Sequence, residues 1–339
     1  MTTISATAQP TLDEVAAAAG VSRSTASRAL NGGARVSPQA QAAVDDAAAR
    51  LGYVPNRAAR SLVTRRTDSI ALVVPEPDER VLSDPFIGGT LRGVGAALAA
   101  TDLQLLLIIA RPGESPRRLA RYLRAGHVDG VVIASHHRED GLEEAVLASP
   151  VPAVFVGRPF AATEGLIYTD VDNRAGARQA VQHLVDTGRT RIAHIAGPAD
   201  MAAGLDRRDG WSDVLTDAGL PADAFASGEF TVASGHRAMT DLLAVHPDLD
   251  AVFAASDSMA LGALEALRAH GRRVPEDVSV VGFDDLGVAA SMTPPLTTVR
   301  NPVVEMASCA VEQLLTLLSG KRDVPTVVFP PELVVRAST

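Results

Sequence analysis

Only one cysteine, Cys309, occurs in the 339 residues. No disulfide can form within the chain, which suits a reducing compartment, and Cys309 falls in an apolar helical pattern that reads as core. No apolar run approaches the roughly 20 residues of a membrane-spanning helix. The opening MTTISATAQP lacks the basic stretch and apolar centre of a secretory signal. Residues 1–10 are expected to be a disordered tail, and the protein is expected in the cytoplasm, with no membrane partner. A single lysine accompanies thirty arginines, a bias with no functional weight. Motifs for chemistry are missing too. There is no GxSxG or HExxH, and Gly88-Gly89 with Gly93-Val94-Gly95 completes neither GxGxxG nor a phosphate loop. His136-His137 has no Cys or carboxylate at a recognised metal spacing and reads as a solvated loop. Arg117, Arg118 and Arg121 read as a solvated helix face, and no period suggests a solenoid. No catalytic constellation, metal or cofactor is expected, so the chain does not read as an enzyme.

What is present is a division of charge. Residues 1–66 hold eight arginines against four acids, Asp13, Glu14, Asp45 and Asp46, whereas the remainder of a chain of formal charge −9 carries −13. A basic end on an acidic body fits contact with a polyanion at that end alone.

The basic end has helix punctuation. Thr11 and Glu14 make a capping box for a helix through Val15 to about Ala18. Ala19-Gly20-Val21 is a turn, in which Gly20 can take φ > 0. Ser22 caps a second helix from Arg23 to Leu30, ended by Asn31-Gly32. Small residues at Ala16, Ala19 and Ala26 let the two helices cross closely, as in a helix-turn-helix. Ser37-Pro38 starts a third helix, with Val44 and Leu51 on its inner face, and Gly52 stops it. The second helix is the candidate reader of DNA. Arg23 in its first turn can bond guanine O6 and N7 in the major groove. Ser24, Thr25, Ser27, Arg28 and the helix N-terminus suit base edges or phosphates. Thr11, Ser22, Asn31, Arg35 and Tyr53 complete the candidate contacts of this headpiece. After the extended Tyr53–Asn56 link, Asn56 can cap a short basic helix, Arg57 to about Val63. That helix is too short to be stable alone. Arg57, Arg60, Arg65 and Arg66 would face phosphates. Leu62 has no core to join and suits a minor-groove wedge, and Ala59 is small enough for two such helices to pack together.

The run TLDEVA, AGVS, T.SR.LN, then VS, then LGYVPN.AAR.L closely resembles the headpiece of the lactose-repressor (LacI/GalR) family of bacterial transcription regulators. Looser similarity continues over nearly the whole chain. The resemblance implies a homodimer on near-palindromic double-stranded operator DNA, controlled by a small-molecule effector, with a carbohydrate the leading class. A repressor is expected, with the hinge helices responding to lobe geometry. The family's extra tetramerising helix is not expected, since the chain ends Val335-Arg336-Ala337-Ser338-Thr339. Two alternatives stand beside this: a corepressor-dependent regulator answering to a nucleobase or other metabolite, and a cytoplasmic sugar-binding protein, which residues 11–66 oppose.

After Arg66 short apolar runs alternate with helical patterns, the mark of βαβ units in parallel sheets. Expected strands include Ile70–Val74, Gln104–Ala110, Gly130–Ala134, Ala153–Val156, Leu166–Val171, Ile192–Ala196, Glu229–Val232, Ala251–Ala255 and Val278–Phe283. The fold class is therefore α/β: an all-α helix-turn-helix headpiece (11–55), a hinge helix and linker (56–66), and a doubly wound body (67–339). The resemblance implies a periplasmic-binding-protein-like body of two lobes, about 67–168 plus 301–324 and about 169–300 plus 325–339. Ligands of open α/β sheets bind beyond strand C-terminal ends. Phe86, Arg158, Asp170 to Asn173, Arg207, Ser256-Asp257 and Asp284-Asp285 fall near such ends, a mixture of carboxylate, guanidinium and aromatic groups that suits a hydroxyl-rich ligand. By resemblance, the Arg of RxxGW is Arg207 and the Asp of VVGFDD is Asp284, both matching effector ligands. Phe86, Arg158 and Ser256 match pocket positions, with Ser where the family commonly has Asn. Asp257 reads equally as a ligand or as the cap of a helix starting at Ser258. Asp172, Asn173 and Asp285 read as turn or cap residues, and Trp211 as core.

Overall fold

The computed structural model describes residues 10–31, 36–54, 66–110, 116–160 and 165–339. The chain divides into two compact units, Met1–Thr67 and Asp68–Thr339.

The first unit contains α1 (Leu12–Ala18), α2 (Arg23–Leu30) and α3 (Pro38–Leu51). Each begins where its cap dictates. Thr11 and Glu14 bond reciprocally, and Ser22 and Ser37 accept from the amides of Thr25 and Ala40. Gly20 takes φ 66° in the turn. Small side chains at Ala16, Ala26 and Ala47 join Val15 and Val44 in the core. Leu51 departs from expectation, being 38% exposed. The left-handed Gly52 turns the chain back, Tyr53 N–H bonds Ala48 O at 2.9 Å, and Tyr53 packs against the core instead. Arg35 and the expected hinge, with Asn56, Arg57, Ala59, Arg60, Leu62 and Arg65, lie outside the described residues.

The second unit holds two six-stranded sheets. The first comprises β1 (Ser69–Val74), β2 (Gln104–Ile109), β3 (Gly130–Ala134), β4 (Ala153–Val156), β5 (Tyr168–Val171) and β11 (Val327–Phe329), in the order β11-β5-β4-β3-β1-β2. The second comprises β6 (Ile192–Ala196), β7 (Phe225–Ser227), β8 (Ala251–Ala254), β9 (Ser279–Asp284), β10 (Thr297–Arg300) and β12 (Glu332–Val334), in the order β12-β10-β9-β8-β6-β7. Pairing is parallel except for β10 with β12. Strands β1, β3, β6 and β8 are buried throughout, because helices cover both faces. One apolar cluster spans both lobes, and each lobe has a second on its other side.

Two boundaries differ from the sequence reading. Thr169 pairs with both Val156 and Val327, so β5 and β11 extend the first sheet. By sheet membership the chain crosses after 171, after 300 and after 329, rather than at 168 and 324. Glu229–Val232 is not a strand; that place falls to β7, because Thr231 forms a capping box with Ser234 and starts the helix Val232–Val245. The helix Asp78–Ser83 was not anticipated; Asp84 follows it and caps the next helix, Pro85–Leu98.

Candidate functional site

A cleft opens between the lobes at the strand C-terminal ends. Phe86, Arg158, Arg207, Ser256, Asp257 and Asp284 all line it. Asp284 and two further lining residues, Ser135 and Phe230, have unusual backbone conformations, with φ of 123°, 55° and 56°, a region that non-glycine residues occupy only at a cost of about 1–3 kcal/mol.

Arg207 is the hub. The helix carrying it runs Ala202–Asp217, with Arg207 in its second turn. Gly210, one turn on, allows close crossing over the helix Asn173–Asp186: a Cβ there would lie 2.5 Å from Arg174 O. The Arg207 side chain is only 5% exposed and sits 3.4 Å from the Asp284 carboxylate. Its Nε–H donates to Asn173 Oδ1 at 2.8 Å and an Nη1–H donates to Ala255 O at 2.6 Å. The guanidinium carbon lies over the Phe283 ring, 3.6 Å from its centroid. A guanidinium has five N–H groups, so some remain for a ligand.

Carboxylates surround this cation. Burial pushes Asp284 up to about 6, against the pull of Arg207, and pushes Asp170 up to about 7. Asp257 is raised well above the usual carboxylate range, first by burial and then by Asp284. Asp257 is not a helix cap: Ser256 Oγ caps the helix Asp257–Ala269. Asp257 instead accepts from Thr298 Oγ1 at 2.6 Å and from Asp285 N–H at 2.8 Å. Arg158 is committed as well, its Nη2 reaching both oxygens of Asp206 at 2.8 and 2.7 Å across the two lobes.

Sequence reading underrated three residues. Asn173, read as a cap, is 2% exposed and orients Arg207; Asp172 is the cap. His136 is 6% exposed and lines the cleft, its Nε2 facing Arg158 O at 3.2 Å; burial pulls it down to about 4, so it is neutral. His137 bonds carboxylates of both lobes. His136-His137 is therefore not a solvated loop. Phe230 adds an aromatic wall that no motif announced.

In the headpiece, Ser22, Arg23, Ser24, Arg28 and Asn31 are exposed, and Thr25 and Ser27 are half-buried. Arg23 pairs with Asp13 at 3.3 Å, with its side chain 71% exposed, and α2 carries no acid to repel phosphate. Thr11 Oγ1 is engaged with Glu14. Among the described residues no group of side chains is disposed to hold a metal ion, and no helix is long and apolar enough to cross a membrane.

Residues 11–56 match the family model for bacterial regulatory proteins of the lacI family, and residues 181–339 match the periplasmic binding protein-like domain. The chain is 48% identical over 334 residues to the HTH-type transcriptional regulator CelR of Thermobifida fusca, covering 97% of this chain and 98% of that one. The chain belongs to the LacI family of bacterial regulatory proteins. The ribose operon repressor of Halalkalibacterium halodurans is 31% identical over 333 residues, with 97% of each chain covered. Among solved structures, a transcriptional regulator CelR–cellobiose complex matches at 46% identity with TM-score 0.78, covering 97% of this chain and 100% of that one. The lac repressor dimer bound to operator and the anti-inducer ONPF matches at 27% identity with TM-score 0.86, covering 97% and 98%. This LacI-family chain is thus a DNA-binding transcriptional regulator with an effector-binding domain, and the family is regulatory rather than catalytic.

Proposed function

We propose that this chain is a repressor whose effector is a glucose disaccharide of the cellobiose type, bound in the interlobe cleft. The observation that carries the reading is the cleft's chemistry: a buried, immobilised guanidinium among carboxylates, with Phe86 and Phe230 as apolar walls. Carboxylates accept from sugar hydroxyls, an arginine donates to them, and the aromatic rings cover the apolar face of a pyranose. The 46% identical relative solved with cellobiose supports the same class of ligand. In this reading Arg207 and Asp284 grip neighbouring hydroxyls, Phe86 stacks, and Ser256 and Asp257 flank the ring. Arg158 acts through its clasp on Asp206. The protein acts as a homodimer on a near-palindromic operator, with Arg23 reading a base and Ser24, Thr25, Ser27 and Arg28 setting register.

Calorimetric titration of the full chain with cellobiose, beside ribose, galactose and a nucleobase, tests this. Saturable binding of cellobiose, lost in Asp284→Ala, is expected; binding of a nucleobase in its place would transfer the site to the corepressor reading.

A further inference from the structure

The dyad His136-His137 was the sequence feature that regulation left unused. His137 sits on the first lobe, after β3, beyond the residues that would touch an effector. Its Nε2 lies 3.2 Å from Glu76 Oε1 of the same lobe. Its Nδ1 lies 2.8 Å from Asp200 Oδ2, on the second lobe between β6 and the helix Ala202–Asp217. The next residue adds a backbone tie across the same gap, Arg138 N–H to Asp200 O at 2.8 Å.

Both ring nitrogens therefore face carboxylate oxygens. A neutral imidazole has one N–H and one lone pair, so one contact would set lone pair against lone pair; only the imidazolium donates to both. We propose that His137 is a protonation-dependent latch between the lobes: the imidazolium joins Glu76 to Asp200 and favours this closure of the cleft, and deprotonation loosens it. The proposal rests on the reading of the cleft as the effector site only for its consequence, that effector response becomes proton-linked.

The surroundings agree. Glu76 is 2% exposed, and its Oε1 also takes the Ser135 hydroxyl at 2.6 Å and Arg80 at 3.2 Å. Arg80 opposes a charge on His137. From the same turn, the Asp140 carboxylate accepts from the His137 backbone N–H at 2.7 Å and its negative charge favours the imidazolium. His136 is neutral. Asp78, Glu79, Glu139, Arg118, Arg121 and His127 of the first lobe and Glu229 of the second line the adjoining groove, charges of both signs. Burial works against the imidazolium, but Glu76 and Asp200 outweigh it and hold His137 above its ordinary value. The sign follows: the latch is complete below the ordinary imidazole pKa of about 6.5 and is lost as pH rises through the raised one. Each unit of difference between latched and free rings shifts closure by about tenfold.

The test uses the full chain, spin-labelled at Leu147→Cys on the first lobe and Val245→Cys on the second in a Cys309→Ala background, diluted into unlabelled chain. Interlobe distances are measured between pH 5.5 and 8.5. Asp170 and Asp284 titrate in this window, so the parent is read against His137→Gln, which leaves both in place. The separated population should grow with pH in the parent, and the slope should be smaller in His137→Gln by up to about one proton. Asp200→Asn, which keeps the ring, should move the midpoint to lower pH. The same dependence in parent and His137→Gln, or no dependence in the parent, overturns the latch. A cellobiose arm separates the two ideas: distances that ignore cellobiose count against the effector reading, while the ligand-free series still decides the latch.

Discussion

Replacing Arg207 by alanine should damage stability as well as response. Arg207 is the buried cation facing Asp284 at 3.4 Å, and its charge also acts on Asp170 and Asp257. Breaking a buried ion pair from one side costs about 3–5 kcal/mol, because the remaining charge is left uncompensated. For a unit of this size, 1 kcal/mol shifts the melting temperature by about 2–4 °C, so Arg207→Ala should melt about 6–20 °C lower. The deficit should depend on pH with a definite sign. Asp284 and Asp170 are raised by burial, to about 6 and about 7. Raised carboxylates bind protons in the folded state that the unfolded chain has released, so their contribution is present at low pH and lost as pH rises through those values. Without Arg207 both rise further, and the variant's deficit should be larger at pH 8 than at pH 5.5. Arg207→Lys keeps a charge but loses the planar fork that reaches both Asn173 and Ala255, and should fall between. The assay is thermal unfolding by circular dichroism at the two pH values, with cellobiose titration of whatever remains folded. A melting temperature within about 2 °C of the parent at both pH values would refute the hub reading.

Other expectations are simpler. Arg158→Ala, Asp206→Ala and the double variant should give a coupling of about 1 kcal/mol in a double-mutant cycle of unfolding, modest because the pair is partly exposed; zero coupling would remove the interlobe clasp. Gly210→Ala should cost about 1–3 kcal/mol by overpacking, since its Cβ would meet Arg174 O; an unchanged denaturant midpoint would contradict that crossing. Arg23→Ala should lose about 1–3 kcal/mol of operator affinity and relax base preference at one position, and unchanged selection from a randomised duplex library would clear Arg23 of reading bases.

What could be read from sequence was local. Thr11 with Glu14, Ser22, Ser37-Pro38 and Gly52 set helix ends through contacts within a few residues, and those ends lie where expected. The apolar runs of β1, β3, β6 and β8 announced buried parallel strands for the same reason. Leu51 misled because helical periodicity puts it inward, whereas the chain reversal at Gly52 supplies Tyr53 in its place. The cleft's wiring was hidden for another reason. Asn173 meets Arg207 across 34 residues, Arg158 meets Asp206 across 48, and His137 meets Asp200 across 63. Alone, Asn173 looks like a cap, Arg158 like a pocket arginine and His137 like a loop histidine; only tertiary packing makes the pairs, between two helices of the second lobe for Asn173 and between the lobes for the other two.

The central claim is that a sugar in the interlobe cleft controls how tightly the headpiece holds DNA. Fluorescence anisotropy of the full chain on a duplex selected from a random library, with and without saturating cellobiose, tests it most directly. The account predicts at least about a tenfold change in operator Kd, a coupling of about 1.4 kcal/mol, absent in Asp284→Ala. An operator Kd unmoved by cellobiose, in a protein that calorimetry shows to have bound it, would contradict the claim.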